Sequence, residues 1–470
     1  MEELEEQQQA MQLQRAEQRR GRARADDDEA FGPAEAAVSA VLGVLSRGGT
    51  PVAAAAAGEA AATAAEATAG GAELPVELDE FGRDVNAERK YAAAERARQR
   101  GAKLAELQAR LAADPAMDQG EPRLGEESSD EEDEDDGERW AARQVEVQEA
   151  AAAVFRDAAD EYASLGAVKR QLEEWKAQQP TSYRDAYVSL SAPAIFAPFV
   201  RLELLAWQPL AGGPSFDAQA WYRDLFDFGQ PQDPSAADPE DPDNDLVPQL
   251  VAKLVLPLAR HQLAEVWRPH SVRESAAAAT LLSDLLVYLP PEDPGLRETL
   301  ELVQVRLEGA VEGARLPPWP PAALAACPRA AALLAARFGR SVRLLRAACA
   351  FAPVLPRGWL QRLVLERLLA AQLLPYARSA SGNLPAAADR ASRLAEALLS
   401  TWFAAGTLPP RGAEGLVELL SNLARSTAAA AGEAGARAAN TAAARQLAAA
   451  LHRLGQPKAA NEVAKAYGVL

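Results

Sequence analysis

Apolar residues after position 180 recur at spacings of three, four and seven, and charged or small residues fill the positions between them. This periodicity places the apolar residues on one face of an α-helix. Breaks that contain proline or glycine separate successive stripes, and no alternating strand pattern occurs in this part of the sequence. The pattern therefore predicts a mainly α chain, an irregular helical bundle or α-solenoid of about ten helices joined by short loops.

Several of these helices have recognisable starting signals. Ser271 and Glu274 form a capping box that begins one helix, and the acids from Asp243 to Asp245 begin another. These acids resemble a calcium loop only superficially, because Leu246 and Ala252 stand where such a loop needs glycine and glutamate. Further helices are predicted at 295–312, 328–352, 358–378, 387–405, 411–427, 440–454 and 457–467, and the chain ends in a helical hairpin.

The first 139 residues are predicted to be a disordered, charged and alanine-rich region. Residues 50–72 form an Ala/Gly/Thr tract with little to pack. In the acidic run 126–138, ten of the thirteen residues are acidic and repel one another. Ser128 and Ser129 each precede an acid by three positions in this run, so both are candidate phosphorylation sites. The basic cluster Arg15–Arg24 is either a nuclear-import signal or a solvated helix face.

A short mixed segment interrupts this region at 76–86, with the sequence VELDEFGRDVN. Apolar islands between polar neighbours are typical of segments that fold on binding a partner. Leu78, Phe81 and Arg83 are therefore candidate partner-binding residues.

Residues 140–179 again show helical periodicity, with apolar residues from Phe155 to Trp175 on one face. This segment is either a coiled-coil arm or an amphipathic helix packed on the domain that follows. The bulky aromatic residues in the stripe favour packing over sustained heptad pairing.

Charge is unevenly distributed along a chain whose net charge is −18. The overall sign argues against a surface that coats nucleic acid, yet residues 311–380 carry ten arginines against two glutamates. Arg337, Arg340, Arg343 and Arg346 step by three along one predicted helix. This row is either a phosphate-binding groove or a solvated helix face that bridges to neighbouring carboxylates.

Motifs of catalysis and cofactor binding are missing from the sequence. It contains no glycine-rich phosphate loop, no HExxH, no Gly-x-Ser-x-Gly and no CxxC. The three histidines and two cysteines have no metal-ligand spacing. A signal peptide and an uninterrupted apolar run of membrane-spanning length are also missing. The sequence predicts a protein that is not an enzyme, needs no cofactor and does not enter a membrane.

Three segments carry a resemblance to a known family: TSYRDAYVSLSAPAIFAPFVRLELLAWQPL from residue 181, DNDLVPQLVAKLVLP from residue 243, and FGRSVRLLRAA from residue 338. Together with VELDEFGRDVN, their order and spacing resemble the GC-rich sequence DNA-binding factor-like (GCFC) family. The similarity lies with the branch of paired-box-protein-binding and splicing factors. On this resemblance, residues 180–470 form a GCFC-like helical domain, and Tyr183, Tyr187 and Trp207 are candidate partner-binding residues.

The resemblance implies a nuclear, non-catalytic scaffold in pre-mRNA splicing, engaged in disassembly of the intron-lariat complex. Its implied partners are spliceosomal proteins, among them a glycine-patch protein and a DEAH-box ATPase. The alternative is a transcription regulator that binds GC-rich DNA, so contact with nucleic acid stays open.

Overall fold

The computed structural model describes residues 2–69, 98, 134–230, 238, 240–380, 382–404, 407–430 and 434–468. These residues form helices and turns with no β-strand among them, so the predicted mainly α class is confirmed. The helices are α1 Glu2–Ser46, α2 Pro51–Ala69, α3 Glu134–Ala153, α4 Leu165–Gln178, α5 Pro180–Asp185, α6 Val188–Ala206, α7 Ala220–Leu225, α8 Leu246–Leu250, α9 Leu256–His261, α10 Val272–Tyr288, α11 Pro294–Gly313, α12 Pro321–Ala326, α13 Pro328–Cys349, α14 Arg357–Gln361, α15 Leu374–Arg378, α16 Leu384–Ala397, α17 Glu414–Ala430, α18 Ala434–Arg453 and α19 Pro457–Tyr467.

The chain divides into two compact units. The first contains Met1–Arg19, Ser128–Gly309 and Ala350–Pro356, and the second contains Arg20–Glu127, Ala310–Cys349 and Arg357–Leu470. Residues 180–470, predicted as one helical domain, are thus divided between the two units.

The N-terminal residues require a correction, since α1 and α2 occupy positions where disorder was predicted. In the first unit, the Gln8 amide donates to the carbonyl of Leu205 at 3.3 Å, and the Gln262 amide donates to Gln12 at 2.5 Å. In the second unit, small side chains of α1 such as Ala37 pack in one buried cluster with α12. The buried glutamines are satisfied by hydrogen bonds, and the small alanine side chains let the helices approach closely. The segment 76–86 with Leu78, Phe81 and Arg83, and the serines Ser128 and Ser129, lie outside the described residues.

The segment 140–179, predicted to be either a coiled-coil arm or one amphipathic helix packed on the following domain, is not a single helix. Two helices, α3 and α4, are separated by turns at 154–164. The break is stabilised where the Ser164 side chain accepts a hydrogen bond from the Ala167 amide at 3.3 Å and so caps α4. Phe155 lies in the turn region and stacks on Phe199, with ring centroids 4.6 Å apart. The apolar stripe therefore packs within the first unit and does not form a continuous coiled-coil arm.

The first unit is built around α6 and the run from Leu246 to Val266. That run contains two π-helical stretches, Val251–Val255 and Gln262–Val266. A π-helical end leaves carbonyl groups without their usual amide partners. The Arg306 guanidinium satisfies them by donating to the carbonyls of Leu263 at 2.7 Å and Trp267 at 2.8 Å. The Ser271 hydroxyl accepts from the Glu274 amide at 3.3 Å, so the predicted N-cap of α10 is confirmed.

One stretch, Val188–Ala211, is long and apolar enough to cross a membrane by length and composition alone. It contains α6, which buries Phe196, Val200 and Leu204 in the first unit and includes Pro193 and Pro198. A core helix passes the same test of length and composition, and the burial of these side chains fits a core helix.

The second unit consists of α12 to α19 with the later part of α1 and α2. The predicted C-terminal hairpin corresponds to α18 and α19, and the Tyr467 hydroxyl donates to the carbonyl of Thr427 at 2.9 Å. Gly412 adopts φ +89, and a Cβ there would lie 2.7 Å from the carbonyl carbon of Leu365. Cys349 is buried, and its burial raises the pKa of the thiol to about 12. It is a packing residue at neutral pH.

Candidate protein-interaction site

A buried ionic network positions the start of α6 in the first unit. The Lys176 ammonium, near the end of α4, donates to Asp241 and Asp243 at 2.6 Å each and to the carbonyl of Gly229 at 3.0 Å. The Tyr183 hydroxyl donates to the Asp243 carboxylate at 3.1 Å. One carboxylate thus connects α4, α5 and the turn before α8.

The protonation states in this network follow from burial and charge. Burial acts to lower the pKa of Lys176, but hydrogen bonds to Asp241 and Asp243 and the charges of both carboxylates outweigh it, so the pKa is raised. Burial, followed by the charge and the hydrogen bond of Asp243, raises the pKa of Tyr183 far above its usual range. At neutral pH the lysine is a cation and the tyrosine a neutral donor, which is the combination that two carboxylates require.

Gly229 is the residue that lets the network close. Its φ is +71, and a Cβ there would lie 2.6 Å from the Asp243 carboxylate and 2.9 Å from the Lys176 ammonium. A side chain would therefore meet both the left-handed backbone penalty and a collision with charged atoms. The chain needs glycine here for two independent reasons.

Two of the predicted partner-binding residues lie inside the fold. Tyr183 is 3% exposed and its ring contacts that of Trp175 edge-on, with centroids 5.9 Å apart. Trp207 is also buried, and its indole N–H donates to the carbonyl of Pro214 at 3.0 Å. Their surroundings correct the prediction of direct contact, because a buried ring stabilises the unit and presents no surface to a partner.

Tyr187 is the predicted residue that does reach the surface. It is 69% exposed, and Leu190, one turn later, is 70% exposed. Tyr187 caps the start of α6: its carbonyl accepts from the amides of Leu190 at 3.1 Å and Ser191 at 3.2 Å. We call Tyr187 and Leu190 the Tyr187 surface.

The backbone of Tyr187 is in the left-handed region, with φ 53 and ψ 38. Among the residues that the structure describes, it is the one non-glycine residue with a positive φ. A residue with a Cβ costs about 1 to 2 kcal/mol in this conformation. The exposed ring gains little from packing to offset that cost. Strain of this kind at an exposed aromatic residue favours a functional explanation for the side chain.

The arginine row on α13 has a different environment from the open groove that was one of its two interpretations. Arg337 and Arg340 both form ion pairs with Asp27 of α1, the second at 2.5 Å. Arg343 is buried, and Arg346 lies one turn further along the same helix. Burial acts to raise the pKa of Asp27, but the guanidinium groups of Arg340 and Arg337 outweigh it and lower that pKa. A carboxylate thus occupies the position at which a phosphate would contact these two arginines.

Lys176 is the residue that sequence reasoning missed. The acids from Asp243 to Asp245 were identified as a helix start, but the cation that Asp243 shares with Asp241 lies 65 positions or more away along the chain. Over the described ranges, no cluster of three metal-ligating side chains occurs.

Comparison with known proteins identifies the region around this site. Residues 165–322 match the model of the family described as GC-rich sequence DNA-binding factor-like protein. Transcriptional repressor ILP1 of Arabidopsis thaliana is 38% identical over 235 residues, which cover 50% of this chain and 26% of the repressor. Human PAX3- and PAX7-binding protein 1 is 29% identical over 214 residues, which cover 45% of this chain and 23% of that protein. Mouse Intron Large complex component GCFC2 is 23% identical over 123 residues, covering 26% of this chain and 16% of that protein.

The family match confirms the resemblance that the segments beginning at residues 181 and 243 carry. It begins at the first residue of α4 and includes the Lys176 network and the Tyr187 surface. The chain spans about a quarter or less of the length of these three relatives. Their names describe binding or regulatory factors and components of a complex, and none of the three names describes an enzyme.

Proposed function

We propose that this chain, whose residues 165–322 match the model of the GC-rich sequence DNA-binding factor-like family, is a non-catalytic nuclear scaffold in pre-mRNA splicing. It acts in disassembly of the intron-lariat complex and binds spliceosomal proteins. A glycine-patch protein and a DEAH-box ATPase are the partners that the family resemblance implies. The relative named as an intron Large complex component supports this assignment.

The observation that carries the proposal is the Tyr187 surface. An aromatic and an aliphatic side chain stand exposed one turn apart inside the family-matched region, and the backbone of the first, Tyr187, is in the left-handed conformation. Tyrosine is enriched at the contacts that dominate protein interfaces, since it combines a large apolar ring with a hydroxyl. The Lys176 network behind the surface fixes α5 and the acidic turn through Tyr183 and Asp243. A rigid support of this kind reduces the entropy lost on binding.

The experiment is affinity purification of the tagged full-length chain from nuclear extract, with and without nuclease, read by mass spectrometry. We expect nuclease-resistant recovery of a glycine-patch protein and a DEAH-box ATPase. A double variant, Tyr187→Ala with Leu190→Ala, should lose that recovery. The matched control combines Tyr162→Ala and Leu408→Ala, which truncate an exposed tyrosine and an exposed leucine elsewhere. Equal loss from both double variants, or no spliceosomal protein with the unaltered chain, would refute the proposal.

The second candidate function is regulation of transcription through GC-rich DNA. It draws on the relative named as a transcriptional repressor and on the ten arginines among residues 311–380. Arg337 and Arg340 would have to exchange Asp27 for DNA phosphate. This candidate therefore predicts that Asp27→Asn strengthens binding of a GC-rich duplex, with a steeper dependence on salt. Glu312→Gln, which removes the ion pair with Arg367, is the control. Duplex binding that neither variant changes would count against this candidate.

A further inference from the structure

A second group of aromatic side chains reaches the surface of the first unit, separate from the Tyr187 surface. Phe226, at the end of α7, is 62% exposed, and its ring centroid lies 5.5 Å from that of Tyr222. The Tyr222 hydroxyl is 2.6 Å from the hydroxyl of Tyr288. Phe226, Phe228 and Tyr288 line one pocket of about 400 Å³. Such a hollow with an exposed aromatic residue at its edge is typical of a binding site.

Buried neighbours hold the walls of this pocket in place. The Phe228 ring is buried and contacts Phe196 of α6 edge-on, with centroids 5.2 Å apart. Asp238, which also lines the pocket, accepts two hydrogen bonds at 3.0 Å each. Its carboxylate accepts from the Glu240 amide, and its carbonyl accepts from the Asn244 side chain. The pocket therefore combines aromatic faces with an exposed carboxylate that the Glu240 amide contacts.

The segment that provides most of the pocket lining is acidic in sequence. Nine acidic residues and one arginine lie between positions 215 and 245. Lys176 contacts two of these acids, so one cation stands against two carboxylates in that pair. Burial raises the pKa of Tyr288, and the hydrogen bond and charge of Tyr222 and then the charges of Asp217 and Asp284 raise it further. A cation that enters the pocket gains from the exposed Asp238 carboxylate in its lining, whereas a phosphate would be repelled.

Aromatic faces together with carboxylates select one type of side chain. A guanidinium group is planar, stacks on aromatic rings and directs its N–H groups at carboxylate oxygens, and it gives up its hydration more readily than an ammonium group. We propose that the pocket lined by Phe226, Tyr288 and Asp238 binds an arginine side chain from a basic segment of a partner protein. Charge complementarity identifies the occupant, because the exposed Asp238 carboxylate in the pocket lining favours a cation over an apolar segment and repels an acidic one.

This inference does not depend on the proposed function, since it concerns different residues and a different readout. The test measures binding of three synthetic peptides to the full-length chain by fluorescence anisotropy. One peptide carries three arginines separated by glycines, the second carries lysines at those positions, and the third carries citrulline, which keeps the shape and removes the charge. We expect the arginine peptide to bind, the lysine peptide to bind about fivefold more weakly, and the citrulline peptide not to bind.

Variants locate the binding to the pocket. Phe226→Ala should weaken binding of the arginine peptide by about fivefold or more and reduce the difference in affinity between the arginine and lysine peptides. Asp238→Asn should weaken binding of both cationic peptides and make that binding less dependent on salt concentration. Tyr162→Ala and Val287→Ala are the controls, because both side chains are exposed in the same unit and lie outside the pocket lining. Phe226 is exposed, so its removal should leave the thermal unfolding transition in place, which the same samples can verify.

Three outcomes would overturn the proposal. The arginine and lysine peptides could bind with equal affinity, and Phe226→Ala could leave both affinities unchanged, which would indicate general attraction to an acidic surface. The arginine peptide could fail to bind at low salt. Alternatively, the chain could self-associate and Phe226→Ala abolish that association, which would make a second copy of the chain the occupant.

Discussion

Replacement of Tyr187 by glycine should stabilise the first unit while it weakens partner binding. The left-handed backbone at φ 53 costs a residue with a Cβ about 1 to 2 kcal/mol, and glycine removes that cost. Glycine also makes the unfolded chain more flexible, which costs about 0.4 to 1 kcal/mol in return. The ring is 69% exposed, so little buried contact is lost. The net expectation is a gain of about 0.5 to 1 kcal/mol, or about 2 °C in melting temperature for a unit of roughly 200 residues.

Differential scanning calorimetry and the nuclear-extract purification would be run on the same variants. Tyr187→Ala should keep the backbone strain and lose partner recovery, so its melting temperature should stay below that of Tyr187→Gly. Tyr162→Gly is the matched control: Tyr162 is an exposed tyrosine in the same unit without a positive φ, and glycine there should lower the melting temperature. If Tyr187→Gly lowers the melting temperature as Tyr162→Gly does, the ring contributes to stability and the argument from strain fails.

Three further predictions concern contacts within each of the two units. Gly229→Ala should cost well over 1 kcal/mol in urea unfolding, whereas Gly212→Ala, with a similar φ of +81 and open space around it, should cost only about 1 kcal/mol. Lys176→Met should cost about 3 to 5 kcal/mol by the same assay, because it leaves the Asp243 carboxylate, 1% exposed, without its cation. The pKa of Lys176 is raised, so its contribution to the free energy of unfolding is complete below the unfolded pKa and is lost as the pH rises through the folded pKa. The loss of stability caused by Lys176→Met should therefore become smaller at alkaline pH. The pKa of Asp27 is lowered, so its contribution is present above the unfolded pKa, and the destabilisation by Asp27→Asn should vanish as the pH falls through the folded value.

Periodicity was sufficient to predict several helices of the chain, because the signals that mark them lie in the neighbouring sequence. The stripe predicted at 295–312 corresponds to α11 at Pro294–Gly313, and the one at 457–467 corresponds to α19 at Pro457–Tyr467. Both helices begin at a proline, a local signal that the sequence displays directly. The turns at 154–164 were missed because their sequence, with alanine and charged residues, has no proline or glycine to mark a break. The break between the two helices is marked by the capping geometry at Ser164.

The candidate site was harder to predict because the fold, and not the spacing along the sequence, decides which of its residues are buried and which are exposed. Tyr183 and Tyr187 are four positions apart, and a continuous helix would place them on one face. The left-handed backbone at Tyr187 breaks that register, so one ring is buried and the other exposed. A sequence pattern contains no sign of a positive φ at a tyrosine, whereas the same conformation at Gly229 is a familiar use of glycine.

The Lys176 network couples the two surfaces that we infer in the first unit. Asp243 accepts a hydrogen bond from Tyr183, which lies in the short helix immediately before Tyr187, and the same residue lines the pocket with Phe226. A variant at either surface should therefore change one kind of binding, whereas a variant in the network should change both. Lys176→Met is expected to weaken both partner recovery and arginine-peptide binding, even though Lys176 lines neither surface. Loss of one kind of binding with the other intact would show that the network supports only the surface whose binding is lost.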